Sequence, residues 1–364
     1  MPYDMTPDIA SLVKGASNVD LNNAFILKRD EFYTRYEDVE REVLNYRGYL
    51  EGKTVFCNCD DPFESAFFRF FVVNFAKLKL AKLVSSCRAE PFLARGRNAR
   101  AFKAVVTATP KKFPASPNSQ SEIEALFAMP GNSLSPLAGD GDFRSAECEA
   151  LLEEADVVAT NPPFSLFRDY IRQLDKHGKK FIVLGNMNAV TTREIFPLFR
   201  DNRVWYGESI RSGDRSFHVP ESYPLNAAGC GIDEDGRRFI RVKGVRWFTN
   251  IDVRGRAERL ELTRFYCPNE YPTYENYDAI DVARTKNIPV DYDGLMGVPI
   301  TFLDKYNPNQ FDIVMLANGN ARSSVPTKTL KEVRYRPHPD DKGGVGIING
   351  RRAYARIIVR RKRT

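Results

Sequence analysis

The sequence predicts an α/β fold: a parallel sheet with helices on both faces. Two patterns carry this expectation. Between residue 53 and about residue 200, short apolar runs alternate with helical patterns, as parallel strands joined by crossover helices do. One of those helical segments, "ESAFFRFFVVNFAKLKL", is apolar nearly all round, which suits a deeply buried helix. The 364 residues suggest about two domains, or one large domain with additions.

Taken in order, residues 1–27 lack periodicity and read as an N-terminal arm. "KRDEFYTRYEDVEREVLNY" reads as a helix with Val39, Val43 and Leu44 on one face. "KTVFCN" is a strand, the apolar helix follows, and "AKLVSSC" is a second strand. Residues 88–137 turn rich in Pro, Ala, Ser and Arg and are treated as an insertion, with a hairpin strand expected at "AFKAVVTA". After "GDGDF" come the helix "SAECEALLEEA" and the strand "DVVAT". "SLFRDYIRQLDKHG" is a helix with Gly178 placed just past its end. "KKFIVLGN" is a strand, "TTREIFPLFRD" a short helix, and "RVWYGE" and "VRWFTNIDV" are further strands. Beyond residue 255 the pattern weakens. Near the end, Asn349-Gly350 between apolar residues signals a hairpin, and "YARIIV" a strand.

Composition narrows the class. A hydrophobic content of 43% with 12% aromatics is globular, not disordered. No apolar run reaches the roughly 20 residues that span a membrane, and the N-terminus lacks the pattern of a signal peptide. The six cysteines are scattered, no Cys-x-x-Cys occurs, and there are three histidines. A reduced, cytoplasmic protein without a structural metal is expected. The net charge is +7 with a pI near 9.0. "RRAYARIIVRRKRT" carries seven basic residues and no acid, a stripe suited to phosphate backbones, although a solvated tail reads the same way.

The chemistry gathers at "DVVATNPPFSLF", where a strand runs into Asn161, Pro162, Pro163 and Phe164. Two prolines force the chain to turn. In an open parallel sheet, ligands bind at the carboxyl ends of strands. The Asn161 side-chain oxygen beside the Pro162 carbonyl makes two adjacent acceptors, suited to an amino group with two N–H donors. Phe164 adds a flat face fit to stack on a planar base. A rigid loop with Asn as a turn residue is the plain alternative.

Asn-Pro-Pro-Phe resembles motif IV of the amino-methyltransferases that use S-adenosylmethionine. With "DEFYT", "CNCDDP", "GDGDFRS" and "GVPITFLDKYNP", the chain resembles the adenine-specific DNA methyltransferase family typified by the EcoRI modification methylase, from about residue 28 to 310. The resemblance implies a Rossmann-like methyltransferase fold with a mostly parallel seven-stranded sheet. It implies a catalytic domain over 28–254, interrupted by the 88–137 insertion, and a C-terminal DNA-recognition region over 255–364. It also implies cofactor contacts from Phe32, Tyr33 and Thr34, from Asp60 or Asp61 with Pro62 and Ser65, and from Asp140, Asp142 and Phe143. The turn after the first strand has no glycine, unlike the usual Gly-rich turn, and which Asp serves there is left open. Phe217 would stack on the second face of a flipped base beside Phe164. His218 is read as a surface residue rather than a general base.

The implied reaction is methyl transfer from S-adenosylmethionine to N6 of an adenine flipped out of duplex DNA, with GAATTC as the first site to consider. Arg360, Arg361, Lys362 and Arg363 are expected to hold the DNA backbone. A monomer acting beside a separate restriction endonuclease is expected. Two alternatives stay open: an amino-methyltransferase acting on RNA or on protein glutamine, and a silent methyltransferase-like DNA-binding protein.

Overall fold

The computed structural model describes residues 34–88, 101–110, 120–211, 213–219, 223–226 and 229–362. The strands are β1 (Thr54–Asn58), β2 (Lys82–Cys87), β3 (Phe102–Val106), β4 (Ser133–Pro136), β5 (Val157–Thr160), β6 (Lys180–Asn186), β7 (Trp205–Tyr206), β8 (Arg215–His218), β9 (Gly231–Ile232), β10 (Arg238–Val242), β11 (Val245–Thr249), β12 (Ala279–Asp281), β13 (Leu295–Pro299), β14 (Phe311–Ala317), β15 (Ile347–Ile348), β16 (Arg351–Arg352) and β17 (Arg356–Arg361). The helices are α1 (Tyr36–Val43), α2 (Arg47–Leu50), α3 (Ala66–Val73), α4 (Gln120–Phe127), α5 (Ala146–Glu154), α6 (Phe167–Lys176), α7 (Phe196–Arg200), α8 (Ala321–Ser324) and α9 (Thr327–Glu332).

Among the described residues the central sheet has eight strands in the order β4-β3-β2-β1-β5-β6-β11-β7. Its middle four, β2-β1-β5-β6, run parallel. The outer pairings are antiparallel on both sides. Among the described residues the sheet thus keeps the expected parallel middle but has eight strands rather than the expected seven, with antiparallel edges. The extra width comes from residues 88–137: the expected strand there is β3, and it joins the edge of β2 with β4 outside it. That segment extends the sheet.

Residues of the parallel strands divide alternately between two cores. Val55, Cys57, Leu83, Val157, Ala159, Ile182 and Leu184 pack on one face with α1 and α3. Phe56, Val84, Val158 and Val183 pack on the other with α5, α6 and α7. Both faces are covered, which explains why these strands read as unbroken apolar runs. Helix α3 is capped by Ser65, whose Oγ accepts from the amides of Phe67 and Phe68. It is shorter than its apolar run: it ends at Val73, and Asn74–Leu80 turn back toward β2. Phe67, Phe68, Phe70 and Phe71 are each at most 1% exposed, so α3 contributes about 1.5–3 kcal/mol of burial per ring.

Gly178 has φ +61, as its place after α6 requires. At the Asn349-Gly350 turn both residues have positive φ, the geometry of a tight hairpin turn joining β15 and β16. A small sheet, β8-β10-β9, rises between β7 and β11. The weakly patterned region after 255 folds around a second sheet, β12-β13-β17-β14. Its Met296, Val298, Phe302, Phe311 and Ile357 share one core with α6 and α7. Across that junction Arg246 of β11, 3% exposed, makes a two-pronged ion pair with Asp304 at 2.6 and 3.0 Å.

Candidate active site

The site forms where β1 and β5 end side by side. After β1 the chain turns at Cys59, whose φ of +80 is the left-handed conformation that a glycine adopts without strain. The turn that lacks glycine still makes the glycine-like bend. It delivers Asp60 inward and Asp61 outward. Asp60 is 6% exposed, while Asp61 is half-buried and its Oδ1 accepts from the Phe63 amide at 2.7 Å. Pro62 is buried, and Ser65 begins α3 behind it.

Asp60 ties the two strand ends together. Ser65 Oγ donates to its Oδ1 at 2.5 Å, and Thr160 Oγ1 lies 2.6 Å from its Oδ2. Thr160 Oγ1 is also hydrogen-bonded to the Asn58 carbonyl. One hydroxyl proton cannot serve both acceptors, so the arrangement is complete only with a proton on Asp60. Burial points the same way: it raises the Asp60 pKa to about 7 against the opposing pull of the two hydroxyls. Its oxygens are thus occupied within the protein. Of the two neighbouring carboxylates, Asp61 is the more exposed.

Asn161 follows Thr160 directly. It is half-buried, with its Oδ1 shielded from solvent. Pro162 is buried, and the Pro163 carbonyl accepts from Leu166 in the single turn that leads into α6. Phe164 is half-buried at the lip. Phe217 of β8 meets it edge-on, with centroids 6.2 Å apart at 87°. At 2% exposure Phe217 has no face open to a base; it backs the Phe164 ring instead of forming the second side of a clamp.

The Gly-Asp-Gly-Asp-Phe loop crosses the end of β2. Gly141 has φ +76, and a Cβ there would lie 2.3 Å from the Cys87 carbonyl, so only glycine permits this approach. Asp140 is exposed, 3.7 Å from Arg88. Asp142 is gripped by Arg144 at 2.8 and 2.7 Å, and that hydrogen bonding holds its carboxyl below the ordinary range. Phe143 is 2% exposed and packs edge-on against Tyr170, centroids 5.0 Å apart, so it is a core ring rather than an open flank for a ligand. Thr34 is half-buried, and Phe32 and Tyr33 lie outside the described residues. Asp60, Asp61, Ser65, Asn161 and Phe164 therefore converge at neighbouring strand ends. Thr160, although part of the quoted stretch, is the functional neighbour that sequence reasoning passed over; its signal was a hydroxyl at a strand end beside a buried acid.

His218 is half-buried and paired with Asp233 at 2.9 Å. Three of the four C-terminal cations stand in surface ion pairs. Arg360 pairs with Glu332 at 2.9 Å, Arg361 with Asp293 at 3.0 Å and Lys362 with Asp312 at 3.1 Å. Arg363 lies outside the described residues. Among the described residues no three His, Cys, Asp or Glu side chains gather to hold a metal ion, and no helix is long and apolar enough to cross a membrane.

Comparison with known proteins shows the family. The family model described as Adenine-specific methyltransferase EcoRI matches residues 20–362. The chain is 42% identical over 354 residues to the Type II methyltransferase M.EcoRI of Escherichia coli, covering 97% of this chain and 99% of that protein. It is 38% identical over 347 residues to the Type II methyltransferase M.MpnI of Mycoplasma pneumoniae, covering 94% and 98%. It is 37% identical over 348 residues to M.MgeORF184P of Mycoplasma genitalium, again covering 94% and 98%. No solved structure matches the chain.

Proposed function

Because the chain belongs to the EcoRI family of adenine-specific methyltransferases and is a DNA adenine methyltransferase, we propose that it methylates N6 of an adenine held at Asn161, Pro162, Pro163 and Phe164. The observation that supports this most is the convergence of Asn161 and Phe164 with an acid-lined turn at adjacent strand ends. When bound, S-adenosylmethionine supplies an electrophilic methyl group on a sulfonium sulfur. The residues fit such a group: Asp61, the more exposed of the two acids after β1, suits its ammonium, and the exposed Asp140 of the loop at the end of β2 suits a ribose hydroxyl.

Asn161 Oδ1 and the Pro162 carbonyl accept the two N6 hydrogens and so aim the nitrogen lone pair. As N6 gains the methyl group it becomes cationic, and these acceptors stabilise that charge. The proton it then sheds is acidic and leaves to water, so no strong base is required. Phe164, braced from behind by Phe217, stacks on the extruded base and offsets part of the few kcal/mol that extrusion costs. The identity to M.EcoRI makes GAATTC the first sequence to test. The enzyme is proposed to act as a cytoplasmic monomer, with a restriction endonuclease acting separately on the same site.

Sequencing plasmid DNA from expressing cells, by a method that detects N6-methyladenine, tests this reading. Methylation at a defined motif is expected. Unmodified DNA, with methyl transfer to RNA or protein instead, would replace it with the corresponding alternative.

A further inference from the structure

Building on the DNA-methyltransferase reading above, we propose that four exposed cations on the carboxyl rim of the central sheet, Arg168, Arg193, Arg241 and Lys243, grip the phosphates around the target adenine. All four are exposed, and none is held in an ion pair among the described residues. Their placement follows from the topology. Arg168 lies in the first turn of α6, four residues after Phe164. Arg193 follows the single turn Met187–Thr191 that leaves the end of β6. Antiparallel β11 enters beside that same end, since Val245 pairs with Asn186. Asn186 Nδ2 donates to the Lys243 carbonyl at 2.9 Å, which fixes the turn carrying Lys243 there. Arg241 stands on β10 between Ile240 and Val242, whose side chains are buried, so it faces outward.

A target atom can reach Asn161 only if the duplex lies across this rim. The neighbouring ends of β5, β6 and β11 span about 10 Å at the usual strand spacing, a width that covers about three phosphates of one strand. The C-terminal cations are placed elsewhere. Asn318, which follows β14, donates to the Thr191 carbonyl at 3.0 Å, so the far end of β14 is the end that meets the rim. Arg361 pairs with Phe311 at the opposite end of β14, about 20 Å away at the rise of a strand. In the stripe most visible in the sequence, Arg360, Arg361 and Lys362 are ion-paired and Arg361 lies at the end of β14 away from the rim, whereas the rim cations are scattered in sequence and gathered by the fold.

The test compares Arg241→Gln/Lys243→Gln with Arg360→Gln/Arg361→Gln/Lys362→Gln. Each is titrated, beside the wild type, onto a duplex bearing the methylated motif and onto a random duplex across a potassium chloride series. The rim variant should flatten the log–log salt slope by about 1.8, or about 0.9 per lost contact, and should weaken binding to both duplexes by similar factors. Its methylated motif should stay the same, and the C-terminal variant should leave the slope unchanged. An unchanged slope in the rim variant overturns the proposal while leaving the methyltransferase reading intact, as does a slope change carried by the C-terminal variant. A changed motif overturns it too, because these residues would then read bases. Wild-type protein that binds neither duplex would sink the parent reading as well.

Discussion

Replacing Asp60 by Asn should remove a pH dependence from the protein's stability without disturbing its grip on S-adenosylmethionine. The side-chain amide can donate to Thr160 Oγ1 and its oxygen can accept from Ser65 Oγ, which reproduces the hydrogen bonds of the protonated acid. The magnitude follows from the raised pKa of about 7 against an ordinary 3.8. A carboxyl whose pKa is raised by folding contributes stability that is fully present below 3.8 and lost as pH rises through 7. Between pH 5.5 and pH 8 this group alone should lower the stability of the wild type by about 2 kcal/mol. The assay is denaturant unfolding of wild type and Asp60→Asn at several pH values, followed by calorimetry with the cofactor. The difference between the two proteins should shift by about 2 kcal/mol in favour of the variant as pH rises. Parallel stability profiles would refute the buried proton. A large loss of cofactor affinity in the variant would mean that Asp60, not Asp61, holds the ammonium group.

Asn161→Ala should abolish methyl transfer and leave cofactor binding nearly unchanged, as read by a tritiated-methyl assay beside calorimetry; near-normal turnover would remove Asn161 from the amine. Phe164→Ala should cost about 1–3 kcal/mol of activation on fully paired duplex and less where the target adenine is mismatched. Equal losses on both substrates would mark Phe164 as a packing residue only. Asp304→Ala strands the buried Arg246 guanidinium and should cost about 3–5 kcal/mol in urea unfolding. Replacing both partners with apolar residues of similar volume should recover most of it.

What the sequence made legible was local. The parallel strands β1, β2, β5 and β6 announce themselves because both of their faces are buried, and the turn after β5 because two prolines cannot hide. Pairing between distant segments was not legible. β12, β13 and β14 sit among Tyr-, Asn- and Pro-rich loops and make sense only once β17 lies between β13 and β14. The basic C-terminal segment contains no acid of its own, but its partners come from Asp293, Asp312 and Glu332, well upstream in the chain. Asp60 and Asp61 are chemically identical neighbours. Only the turn at Cys59 and the hydroxyls of Ser65 and Thr160 decide which one faces inward.

The excursion that carries β8, β9 and β10 leaves the central sheet at β7 and returns at β11, two strands that pair with each other. The Gly207 amide donates to the Trp247 carbonyl, and the Glu42 carboxylate accepts from the amides of Glu208 and Ser209, so the exit is pinned before the excursion begins. A segment rooted in two bonded strands can lengthen or shrink at its exposed tip with little effect on the sheet beneath it, while Phe217, Val219, Ile240 and Val242 stay in the core they share with that sheet. Doubling its length would cost only about 0.6 kcal/mol in closure entropy. The chain thus separates what must stay fixed from what may drift. An enzyme lineage could alter how it grips DNA through the exposed residues of this graft, as long as Phe217 still backs Phe164.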